Sequence, residues 1–144
     1  MRSLFTLFCL LFVTLSVQAN EYDAEVAKLM GKHRLTLQWI SWDKPGRAIV
    51  KKSGNDIVIS GSQIGVDGDF LTIEGKIIDA AKDEFTFEGS IATRVSHINN
   101  GETCVREGVQ VFQRTKPTRK YWRLQNMTNP CTQIETDYID LFFH

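Results

Sequence analysis

Cysteine and histidine are the residues in this sequence whose chemistry depends most on spacing. The cysteines are Cys9, Cys104 and Cys131. Cys104 and Cys131 stand 27 positions apart, far outside the two-residue gap of a redox-active C-x-x-C pair. Once they are joined to each other, neither is a thiol nucleophile. The histidines are His33, His97 and His144, and no two have the i, i+2 or i, i+4 spacing of metal ligands. In Gly61-Ser62-Gln63-Ile64-Gly65 the serine stands second, where a nucleophile elbow needs it third. Asp79 with Asp83, and Asp137 with Asp140, are acidic pairs of the sort glycoside hydrolysis uses. With 17 acidic residues in the chain, such pairs arise by chance. No catalytic residue, metal or cofactor is assigned, and a non-enzymatic protein is expected.

Binding is the chemistry that remains. The aromatic inventory is Trp39, Trp42, Tyr121, Trp122 and Tyr138. Most of it suits core packing. Trp42 ends the stretch Trp39-Ile40-Ser41-Trp42 beside the turn Asp43-Lys44-Pro45-Gly46, a place where a large ring stays partly exposed. Trp39 and Trp42 are therefore the candidate ligand-binding residues.

These residues need a frame, and its limits come from the ends of the chain. Arg2 followed by the apolar residues 4–17 and then Val17-Gln18-Ala19 reads as a signal peptide over residues 1–19. The run is shorter than the roughly 20 residues of a bilayer-spanning helix. Residues 20–144 then form a single domain with no transmembrane segment, exported to a periplasm or the medium and expected to be a monomer. Cys9 leaves with the signal. In an oxidising compartment the two remaining cysteines default to a Cys104–Cys131 disulfide. Closing a loop of that length stabilises by about 3.5 kcal/mol on the chain-entropy account. Without Arg2 the domain carries 16 basic and 17 acidic side chains, net −1. That balance argues against nucleic acid, which requires a basic surplus.

Within the domain the hydrophobic period changes once. Tyr22, Val26, Leu29 and Met30 share one face of a helix, with Asn20 to cap it and Gly31 to end it. After Gly31 the period is two. Leu35, Leu37 and Trp39 alternate with polar residues; so do Leu71, Ile73 and Ile77, then Phe85, Phe87 and Ile91. Turn signals at 43–46, 53–55, 65–68 and 99–101, the polar connection at 79–83, and the separate runs 105–114, 120–125 and 137–143 give eight strands. The expected fold is all-β: an eight-stranded antiparallel up-and-down β-barrel with a short N-terminal helix and one disulfide. Gly75 and Gly89, mid-strand on apolar faces, suit a barrel corner. In the last hairpin, setting Trp122 opposite Leu141 sets Arg123 opposite Asp140 as a structural ion pair.

A helical turn, the leading glycine Gly31 and about eight up-and-down strands resemble the lipocalin-like, or calycin, class. The tryptophan nearest that glycine is Trp39. The resemblance implies a cup that holds an apolar ligand. Tyr121-Trp122-Arg123-Leu124-Gln125 with Asp137-Tyr138-Ile139-Asp140 also resembles small uncharacterised exported bacterial proteins, a likeness that brings no activity with it. Two readings follow. The first is a binding protein that holds a small apolar or amphipathic molecule beside Trp39 or Trp42. The alternative is a protein-binding module, such as an inhibitor of a secreted or host hydrolase, working through a loop at residues 126–135. A hollow interior favours the first and a filled one with a rigid loop favours the second.

Overall fold

Helix α1, residues 20–29, enters the barrel through its last turn, where Leu29 is buried and Val26 and Met30 pack against the core. The coordinates are a computed structural model and describe residues 20–144. The signal peptide expected over residues 1–19 lies outside the described residues. Gly31 then takes φ +103°, a conformation open to glycine but strained for other residues, and the chain turns from helix into strand.

Eight strands follow: β1 Gly31–Leu37, β2 Gly46–Ser53, β3 Asp56–Ile64, β4 Phe70–Ala81, β5 Glu84–Arg94, β6 Cys104–Gln113, β7 Tyr121–Leu124 and β8 Ile139–Phe142. Each pairs antiparallel with the next, and β8 returns to β1 through Leu35 opposite Leu141 and Leu37 opposite Ile139. The barrel is closed. The seam is thinnest between β6 and β7, which pair only through Phe112 and Gln113.

Alternation sets the inner wall. Leu35, Leu37, Ile59, Leu71, Ile73, Phe85, Phe87, Ile91, Phe112, Leu124 and Ile139 are all buried and pack as one cluster. The rings of Phe85 and Phe112 stack at 4.9 Å, and Trp122 meets Phe85 edge-on at 5.7 Å. Gly75 lies opposite Gly89, and Gly89 opposite Gly108, in one row across β4, β5 and β6. The room left by the first two is taken. A Cβ at Gly75 would lie 2.7 Å from the Phe87 ring, and one at Gly89 would lie 2.9 Å from it. The inward glycines are thus seats for Phe87 rather than space for a ligand, and among the described residues the inner wall packs into a filled interior. A hollow of about 10 Å³ remains by Thr93, Val95 and Cys104, room for no more than one water.

In the last hairpin Trp122 lies opposite Leu141 on the inner face, and Arg123 opposite Asp140 on the outer one. The guanidinium of Arg123 donates from Nε and a terminal nitrogen to the two Asp140 oxygens at 2.7 and 2.8 Å. Tyr138 and Tyr121 flank it, with ring centroids 4.1 and 5.0 Å from Cζ. The bond to Asp140 raises the Arg123 pKa, against the lowering effect of burial. A raised value means the pair's contribution is complete below the unfolded pKa and fades only above it, in strong alkali.

Candidate functional site

Strands of alternating direction give the barrel two ends. Helix α1, the β2–β3 and β4–β5 turns, residues 114–120 and the chain's last residues meet at one. The connections 38–45, 65–69, 95–103 and 125–138 meet at the other, called here the loop end. The second of these ends carries the candidate site.

Its centre is the segment 125–138. Cys104, the first residue of β6, is bonded to Cys131 with Sγ–Sγ 2.03 Å and Cα–Cα 6.0 Å. Within the segment Thr128 and Thr136 form a β-bridge, the Asn129 amide donates to the Glu135 carbonyl at 2.8 Å, and that of Asp137 to Met127 at 2.7 Å. Asn129 organises the turn. Its Oδ1 accepts from the amides of Cys131 and Thr132 at 2.9 and 3.1 Å, the local side-chain-to-backbone bonding that asparagine favours in turns. Its Nδ2 donates to Asp137 at 3.1 Å. Ile134 projects from this frame and is 82% exposed.

Beneath the segment lies a buried ion pair. Arg106 donates to Asp137 at 3.0 Å and to the Thr128 carbonyl at 3.1 Å, with both side chains almost wholly shielded from water. The Trp39 indole donates to the other Asp137 oxygen at 3.0 Å. Gln38, just past β1, donates to the Thr136 carbonyl at 2.6 Å and accepts from the Tyr138 amide at 2.7 Å. The segment is therefore held on both flanks and from below.

The neighbouring connections are tied in the same manner. Gln63 accepts from the Leu37 amide at 2.7 Å and donates to the carbonyls of Ser41 and Lys44 at 2.9 and 3.0 Å. Asp69 accepts from the Ser96 amide at 2.9 Å, and Arg94 donates to Asp69 and to the Gly101 carbonyl at 3.3 and 2.9 Å. Buried polar groups satisfied in this way fix one arrangement. Three further apolar residues stay at the surface of this end: Trp42, 51% exposed, with Ile64 and Val66.

Trp39 and Trp42 thus part company. Trp39 is half-buried under the segment, its ring 6.0 Å from His97, whereas Trp42 points outward from its turn. The two side chains lie in different surroundings at the end where the cup reading expected a mouth near Trp42. Arg106 and Asn129 escaped attention in the sequence. The signal for Arg106 was there: it falls in inward phase with Cys104 and Phe112 on β6.

Fold and site together define a small closed β-barrel with a disulfide-clamped loop at one end. Residues 17–143 match the PM1083 family, and the chain belongs to that family. It is similar to "Uncharacterized protein PM1083" of Pasteurella multocida (strain Pm70), 45% identical over 116 residues that cover 81% of this chain and 74% of that protein. No solved structure matches. The eight-stranded barrel stands, but nothing in these similarities makes the chain a lipocalin. Among the described residues no helix is long and apolar enough to cross a membrane.

Proposed function

We propose that this is an exported, non-enzymatic protein-binding module that works by inserting the clamped segment 125–138 into a cleft of another protein, for instance a secreted hydrolase. The observation that carries this reading is Ile134. A large aliphatic side chain is 82% exposed on a segment that a disulfide, a β-bridge and the Asn129 turn hold in one shape. A loop already rigid before binding loses little entropy on docking. An exposed aliphatic side chain on it can fill a pocket of a partner, the desolvated, well-packed setting in which interface contacts contribute most. Trp42, Ile64 and Val66 are further exposed apolar residues at the same end of the barrel.

The filled interior supports this reading over a small apolar ligand held inside. Such a ligand would have to displace Phe87 or its packed neighbours, and expelling a core ring costs about 3–5 kcal/mol. The disulfide supports an oxidising compartment.

The test uses the immobilised oxidised protein to capture partners from the medium or envelope of its source. The captured protein is then purified and its affinity measured. Ile134→Asp is expected to weaken binding at least 100-fold. Val109→Asp, at an exposed apolar residue on β6, should leave it unchanged. Equal affinity for the wild type and Ile134→Asp would refute the loop reading.

A further inference from the structure

A second site lies on the outer wall, near the end that carries α1. Lys32 and Arg34 face outward on β1, and Arg47 faces outward on β2. Arg34 and Arg47 are direct cross-strand partners. Like charges set opposite each other destabilise a sheet, so their juxtaposition runs against the fold's own interest.

The rest of the molecule makes the pairing more telling. Arg94, Arg106, Arg114 and Arg123 each meet an aspartate: Asp69, Asp137, Asp83 and Asp140. Among the described residues Lys32, Arg34 and Arg47 have no carboxylate at ion-pair distance. Residues 1–19 contain no aspartate or glutamate to supply one. Three cations therefore converge with no carboxylate side chain paired to them, on a chain whose acidic and basic totals are equal at 17 each.

The cations also share a concavity. A groove of about 280 Å³ is lined by Lys32, His33, Arg34, Arg47, Phe143 and His144. Its floor is firm. The ring nitrogens of His33 lie 2.7 Å from the Phe142 carbonyl and 2.6 Å from the Leu29 carbonyl. His144 Nε2 lies 2.8 Å from the Met30 carbonyl. Along the row from Arg47 and Arg34, β8 contributes Phe142, whose ring centroid is 4.7 Å from the Arg34 guanidinium carbon. That contact restrains Arg34 while its fork stays free to donate.

We infer that this groove is an anion-binding site, and that it takes a phosphate ester through Arg34 and Arg47 with Lys32 adding charge. Two guanidinium forks on one small concavity match the several oxygens of a phosphate group, which arginine bonds in bidentate fashion. The groove is open to solvent, and its volume falls below that of pockets that enclose drug-sized molecules. It suits a headgroup-sized ligand. The anion would relieve the repulsion between the two arginines, which accounts for a pairing that folding alone would not favour.

The test titrates the purified protein with inorganic phosphate and with glycerol 3-phosphate, followed by amide chemical shifts. A second arm measures co-sedimentation with phosphatidylglycerol vesicles against phosphatidylcholine vesicles. Binding should shift residues 32–34 and 47, and Arg34→Gln with Arg47→Gln should weaken it at least tenfold. Arg119→Gln, which removes the same kind of charge outside the groove, should bind like the wild type. Binding of the soluble compounds assigns the site to free phosphates. Binding of the anionic vesicles alone assigns it to a lipid headgroup. The inference is overturned if all three probes fail to bind, if the double variant binds as well as the wild type, or if Arg119→Gln weakens binding as much as one groove substitution.

Discussion

The two ends of the barrel solve one problem with opposite chemistry. Both must seal a cylinder of apolar side chains from water. At one end Leu29 of α1 is buried, Val26 and Met30 pack beside it, and Phe143 lies against the Trp122 ring at 4.2 Å. Apart from the buried His33, whose ring nitrogens reach the Phe142 and Leu29 carbonyls, burial there is non-directional, and small displacements of those side chains cost little. At the loop end the seal is polar: Arg106 with Asp137, Gln63, Asp69 and Asn129, bonded both to backbone groups of the connections and to one another's side chains. Directed bonds in a dry setting are unforgiving, because a partner lost leaves a buried group unsatisfied. The difference explains why the loop end presents a fixed surface. Hydrophobic contact would close a barrel, but it would not hold Ile134 in one place.

The largest effect that separates the ends should come from Arg106→Ala. It leaves Asp137 charged and buried with its chief partner gone, and breaking a buried pair costs about 3–5 kcal/mol. Urea unfolding of the oxidised protein measures this. Replacing both partners, as Arg106→Met with Asp137→Asn, should recover part of the loss: no lone charge remains and the amide oxygen still accepts from Trp39, but the new NH2 faces the Asn129 Nδ2 donor. A loss below about 1 kcal/mol for Arg106→Ala would mean that water reaches the pair and that the loop end is not brittle.

At the other end Leu29→Ala should cost less, about 2 kcal/mol, the low side of the range for leucine truncation. Leu29 sits in the last turn of a helix whose first turns are exposed, so α1 can settle into the gap. The same denaturation series checks it. A larger loss than that of Arg106→Ala would reverse the contrast between the ends.

Much of the barrel was legible in the sequence for the same reason that its wall is simple. Strand pairing between neighbours follows from period two and from turn residues, and those are local. Leu71, Ile73 and Ile77, then Phe85, Phe87 and Ile91, could be set on inner faces without coordinates. The disulfide followed from two cysteines and their compartment. The polar seal was not legible, because its partners are far apart in the chain: Gln63 with Ser41 and Lys44, Arg106 with Asp137, Gln38 with Thr136. Alternation puts Arg106 inside but does not say which acid meets it. Gly75 and Gly89 illustrate the other limit. Their phase points to inward space, but only the reach of the Phe87 ring decides whether that space is empty.

The smallest effect belongs to the wall between the ends, where Arg123 and Asp140 pair across β7 and β8. Asp140 is fully shielded, but Arg123 keeps part of its side chain in water. It is also cushioned by Tyr121 and Tyr138. This wall pair is thus intermediate between the two seals: bidentate like the polar one, yet able to relax. Arg123→Ala and Asp140→Ala, with the double variant, should show a coupling of about 1 kcal/mol in urea unfolding, within the span measured for contacting residues. A coupling near that of the buried Arg106–Asp137 pair would mean that the aromatic flanks exclude water as fully as the loop end does. Strict additivity would mean that the cation–ring contacts hold Arg123 by themselves, and that the carboxylate contributes nothing measurable to the wall.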